Sequence, residues 1–109
     1  MVCLRVVIHY YSLKELNLNN FNTKKVENMM HMFSGCSSLK ELNLNNFNTS
    51  KVTDMRGMFN NCTLLKGLNI NDFNTNNVTD MSYMFYRCSD DLKMKIITEN
   101  KKIKPEAFY

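Results

Sequence analysis

The segment SLKELNLNNFNT stands at 12–23 and again, unchanged, at 38–49. A diverged third version, LLKGLNINDFNT, stands at 64–75, so the spacing is 26 residues each time. Aligned at that period, nine apolar positions recur. They are Leu13/Leu39/Leu65, Leu16/Leu42/Leu68, Leu18/Leu44/Ile70, Phe21/Phe47/Phe73, Val26/Val52/Val78, Met29/Met55/Met81, Met32/Met58/Met84, Phe33/Phe59/Phe85 and Cys36/Cys62/Cys88. Six of the seven Phe and six of the nine Met fall on the period, so the period carries the core. Self-similarity at 20–50 residues is the mark of stacked units, none of which buries its apolar face alone.

Each unit changes its apolar spacing partway along. Leu16 and Leu18 are two apart and point to one side of a short strand, with Glu15, Asn17 and Asn19 on the other. Val26, Met29, Met32, Phe33 and Cys36 are spaced 3, 3, 1 and 3, which predicts one stripe of a short helix. Gly35 and Asn61 lie near the expected helix ends, where a left-handed residue often closes a helix, and Arg87 at the third equivalent position breaks that pattern. The expected fold is therefore an α/β repeat solenoid, with a parallel β-ladder on one face and short helices on the other. One domain spans 1–109, with units at 12–37, 38–63 and 64–89. Residues 1–11 read as an N-terminal half-repeat or cap, helical by register with the Met–Phe–Cys stripe, while their Val and Ile content suits a strand equally. In 90–109, Leu92, Met94 and Ile96 alternate with lysines, which predicts a C-terminal strand followed by a cap.

The pattern L-x-x-L-x-L-x-x-F followed by M-F-x-x-C-x-x-L resembles the BspA-like leucine-rich-repeat surface proteins, in particular their 26-residue branch from bacterial surface proteins and mycoplasma-type lipoproteins. MFSGCSSLKELNLNNFNT (32–49) carries most of the match and NVTDMSYMF (77–85) the rest, and the resemblance covers 12–89. Phe21, Phe47 and Phe73 replace the Asn usual in ordinary leucine-rich repeats, so a buried Asn ladder at that position is not carried over. The resemblance implies a non-enzymatic module for protein–protein interaction and adhesion, located at a cell surface. The alternative is a structural spacer, or a fragment of a longer array, that has no ligand of its own and self-associates through its ends.

Binding residues are expected on the outward side of the strands, the concave face of such an array. The columns there are Lys14/Lys40/Lys66, Glu15/Glu41 (with Gly67 third), Asn17/Asn43/Asn69 and Asn19/Asn45/Asn71. They offer amide donors and acceptors beside mixed charge.

Other chemistries find little support. The four cysteines contain no C-x-x-C pair, and Cys36, Cys62 and Cys88 form a row with no point of convergence for zinc. They read as small buried side chains, reduced by default, though a bridge between neighbours is within reach in distance. His9 and His31 have no nucleophile or carboxylate partner at a known motif spacing, and no phosphate loop or paired catalytic carboxylates occur, so neither an enzyme nor a cofactor is expected. The net charge of +4 is interspersed with acids, five lysines against four acids in 90–109, which argues against nucleic acid. No apolar run approaches the 18 residues of a membrane span, and the N-terminal run, interrupted by Arg5 and His9, does not read as a signal peptide.

Overall fold

The apolar stripe Val–Met–Met–Phe–Cys turns repeatedly without becoming a helix. In the computed structural model, which describes Leu18 and residues 21–109, short bonds join residues three apart: Met32 N–H donates to Met29 O, Ser34 to His31 O and Cys36 to Phe33 O. Two residues in each stretch have left-handed backbone. They are His31 (φ 56°) and Gly35 (φ 81°), Gly57 (57°) and Asn61 (63°), and Tyr83 (60°) and Arg87 (62°). Such residues break helical bonding, so alternate N–H groups at and around them need acceptors elsewhere. They find them in the next segment. Met29, His31, Phe33 and Gly35 donate to the carbonyls of Asp54, Arg56, Met58 and Asn60 at 2.8–2.9 Å. Met55, Gly57, Phe59 and Asn61 donate likewise to Asp80, Ser82, Met84 and Tyr86.

These findings overturn the α/β repeat solenoid. The expected outer helices are absent from 26–36, 52–62 and 78–88. The expected parallel ladder shrinks to two strands of two residues, β1 (Glu41–Leu42) and β2 (Gly67–Leu68), paired Glu41 with Gly67 and Leu42 with Leu68. What results is a small globule with extents of 30 × 29 × 19 Å. The physical reason is that the backbone spends its hydrogen bonds between segments at left-handed corners, so neither helices nor long strands can develop. The half-repeat or strand reading of 1–11 lies outside the described residues.

The C-terminal segment also differs from expectation. Residues 92–96 are not a strand but part of a helix, α1 (Asp90–Glu99). Ser89 caps it, its Oγ accepting from Leu92 N–H at 3.2 Å, and Asp90 and Asp91 sit at the positive end of the helix dipole. Leu92 and Ile96, four apart, are buried, whereas Met94 is exposed. A short 3-10 helix (Pro105–Phe108) follows. It returns to the third stripe: Glu106 O accepts from Tyr83 N–H (3.2 Å), Ala107 O from Phe85 N–H (2.7 Å), and the Glu106 carboxylate from Met81 N–H (3.3 Å).

The apolar positions of the period make one core. Leu39, Leu42, Leu44, Val52, Met55, Met58, Phe59 and Cys62 are all buried, as are their counterparts in the third segment. Phe21 departs from its column: it is 37% exposed, against 7% for Phe47 and 4% for Phe73. The rings of Phe33, Phe59, Phe85 and Phe108 form a continuous stack, with centroids 5.8, 5.3 and 5.6 Å apart and planes within 16° of each other. Parallel stacking follows from equivalent residues sitting above one another on bonded backbones.

Thr23 and Thr49, both buried, lock successive segments together. Each hydroxyl donates to the carbonyl of an Asn one segment on, Asn48 and Asn74, at 3.0 Å and accepts from that residue's N–H at 2.8 Å.

Two tests follow from this packing. Phe59→Ala, in the middle of the stack, is expected to destabilise the chain by about 3–5 kcal/mol, and Phe21→Ala by far less, in urea unfolding. The second concerns His31, whose ring lies where a side chain on Gly57 would stand. Gly57→Ala is therefore expected to destabilise more than Gly35→Ala, since a Cβ at Gly35 meets nothing within 4 Å. Adding His31→Ala to Gly57→Ala should recover part of the loss. An additive double mutant would show that the ring does not occupy that space.

Candidate functional site

Alternation on the strands separates core from surface. Leu42, Leu44, Leu68 and Ile70 point inward and are buried, while Glu41, Asn43, Asn45, Gly67, Asn69 and Asn71 are exposed. The outward side chains are held in place by the backbone beneath them. Asn43 Oδ1 accepts from Asn45 N–H, and Asn69 Oδ1 accepts from Asn71 N–H, both at 2.9 Å. These are Asx turns, in which a short amide side chain closes a loop over its own backbone two residues on. The same device recurs at Asn22, Asn48 and Asn74, and again at Asn28, Asp54 and Asp80. The chain's many Asn residues thus have a structural use.

Glu41 is placed by its cross-strand partner. A Cβ on Gly67 would stand 2.7 Å from Glu41 Cγ, so the Glu41 side chain lies across Gly67 because that residue has none of its own. On the far side of β2, α1 supplies Lys95, whose Nζ donates to Leu68 O at 3.1 Å. Asn100 Nδ2 donates to Ile70 O at 3.3 Å. The bond to Leu68 O fixes Lys95 beside Asn69, while Ile70 O also accepts from Phe73 N–H at 3.0 Å.

The result is a groove of about 330 Å³, open to solvent, whose polar lining is Glu41, Asn43, Asn45, Asn69 and Lys95. Of the residues expected from the sequence, Glu41, Asn43, Asn45 and Asn69 come together here. Lys40, Lys66 and Asn71 are exposed but do not line the groove. Lys14, Glu15, Asn17 and Asn19 lie outside the described residues. Lys95 was not anticipated, because 92–96 read as a strand. The signal that could have found it is Ser89-Asp90-Asp91, a helix start placed just before Leu92.

The other chemistry-bearing side chains are used structurally. Cys36, Cys62 and Cys88 are buried free thiols. Cys62 Sγ donates to Phe33 O at 3.2 Å and Cys88 Sγ to Phe59 O at 3.1 Å. Contact with the Cys36 thiol, then burial, pushes the Cys62 thiol well up. Burial pushes Cys88 up to about 11, so both stay protonated near neutral pH. Arg56 bridges Asp54 (3.1 Å) and Asp80 (3.5 Å) on the surface. The hydrogen bonds from Ser82, first from its hydroxyl and then from its backbone, hold the Asp80 carboxyl below the usual range. Among the described residues, no group of three or more His, Cys, Asp or Glu side chains is placed to hold a metal ion, and no helix is long and apolar enough to cross a membrane.

No curated protein and no solved structure matches this chain. A family model described as "Mycoplasma protein of unknown function, DUF285" matches residues 4–101, nearly the whole chain, and the chain belongs to that family.

Proposed function

We propose that this chain is a non-enzymatic protein-binding module that engages its partner through the outward side of β1 and β2. The observation that carries this reading is the groove itself. Side chains from two sequence-related segments and from α1 converge on it, and each is fixed from below by a hydrogen bond or by packing. Pre-set side chains lose little freedom on binding, which favours recognition over mere solvation. The motif resemblance to BspA-like surface proteins supports a cell-surface setting and an adhesive role.

Peptides selected by display against the full chain provide the test. Asn45→Trp and Asn45→Glu change the groove, by bulk and by charge, without removing an Asx-turn acceptor. Each is expected to weaken the selected peptides about tenfold, or ~1.4 kcal/mol, with the circular dichroism spectrum and unfolding midpoint unchanged. Undiminished affinity in both variants would remove this face as the binding surface.

A further inference from the structure

Resting on the protein-binding reading, we propose that the groove accepts a carboxylate-bearing segment of the partner: an acidic peptide whose Asp or Glu side chain sits between Asn43 and Asn69, next to Lys95. The Asx turns are what impose this chemistry. A backbone N–H can be accepted only by the amide oxygen, so Asn43 Oδ1 and Asn69 Oδ1 turn toward the Asn45 and Asn71 N–H groups, each with one of its two lone pairs engaged. The NH2 of each side chain, a donor and never an acceptor, takes no part in the turn. The two Asn directly follow the paired residues Leu42 and Leu68 on adjacent segments, and paired strands run about 4.8 Å apart. At that separation both can donate at about 2.9 Å to one acceptor group placed between them.

Lys95 adds a positive charge to the same groove. One of its three N–H groups goes to Leu68 O, and two remain. The lining also holds the Glu41 carboxylate and the Asn45 amide, while Asn43, Asn69 and Lys95 are its side chains fixed by hydrogen bonds. The chain's net charge of +4 draws anionic segments in from a distance. A ligand rich in donors would meet donors here. One that presents a carboxylate is matched, through charge-assisted hydrogen bonds.

The chain also contains the natural substitution needed for a test. In the column Asn28, Asp54 and Asp80, the Asx turn forms equally well with Asn or Asp: their Oδ1 atoms accept from Met30, Arg56 and Ser82 N–H at 2.9, 2.9 and 2.8 Å. Replacing Asn43 and Asn69 by Asp therefore keeps both turns and turns two donors into two carboxylates.

The experiment titrates the ¹⁵N-labelled full chain with three blocked tetrapeptides, Ac-GEEG-NH2, Ac-GQQG-NH2 and Ac-GKKG-NH2, following the side-chain amide resonances of Asn43 and Asn69. The acidic peptide is expected to shift both, about fivefold more tightly than either counterpart. Its binding should weaken as salt rises through ~0.1 M. Glu41→Gln should tighten it. The Asn43→Asp/Asn69→Asp double variant should lose it, keep its unfolding midpoint and gain affinity for the lysine peptide. If the glutamine or lysine peptide moves the same resonances as strongly as the acidic one, the carboxylate assignment is wrong and the face remains a binding surface. If no peptide moves any resonance of this face, the assignment and the binding reading fall together.

Discussion

Backbone N–H groups that cannot be used locally hold this molecule together. At His31, Gly35, Gly57, Asn61, Tyr83 and Arg87 the chain takes left-handed corners, and around the first four of them every second N–H group points toward the neighbouring segment. Each finds a carbonyl there, from Met29 to Asp54 through Asn61 to Tyr86. Once those bonds form, equivalent residues must lie above one another. The phenyl stack, the Thr–Asn clamps and the row of buried thiols are consequences of that alignment. The third segment has no successor in the sequence repeat, and its donors go instead to Glu106 and Ala107, while Phe108 extends the stack.

The groove depends on the same constraint. Register between the segments puts Glu41 opposite Gly67 and brings the Asn43 and Asn69 columns side by side. A glycine at 67 leaves room for the Glu41 stem, and the carbonyls of Leu68 and Ile70 accept from Lys95 and Asn100. Fold and surface chemistry therefore cannot be varied independently here. Removing an Asx acceptor would disturb a turn as well as a surface amide, which is why an Asn-to-Asp exchange separates the two better than truncation to Ala.

What could be read from the sequence was burial more than backbone. Alternation at Leu42 and Leu44 shows which side chains face inward, and among the described residues the apolar positions of the 26-residue period are buried, apart from Phe21. The path of the chain was not legible. Spacings of 3, 3, 1 and 3 fit a helix, but they fit a succession of three-residue turns equally well. Nothing in the residue types of His31, Tyr83 or Arg87 announces a positive φ, because left-handed backbone there is imposed by the neighbouring segment and not by local preference. Leu92, Met94 and Ile96 alternate like a strand, yet a capped acidic first turn and the four-residue step from Leu92 to Ile96 make a helix that leaves Met94 outside. That misreading hid Lys95. The Asn columns were visible as candidates, whereas the commitment of their oxygens to Asx turns needed the three-dimensional structure.

Amide hydrogen exchange across 52–62, followed by NMR at neutral pH, tests the central claim most directly. The N–H groups of Met55, Gly57, Phe59 and Asn61, bonded to the next segment, are predicted to exchange slowest, near the limit set by global unfolding. The Arg56 N–H, on an exposed residue and bonded only to the half-buried Asp54 carboxylate, should exchange much faster. Unbroken protection from Arg56 through Asn61 would instead mark a helix with local bonding. It would contradict the account that hydrogen bonds between segments hold this protein together.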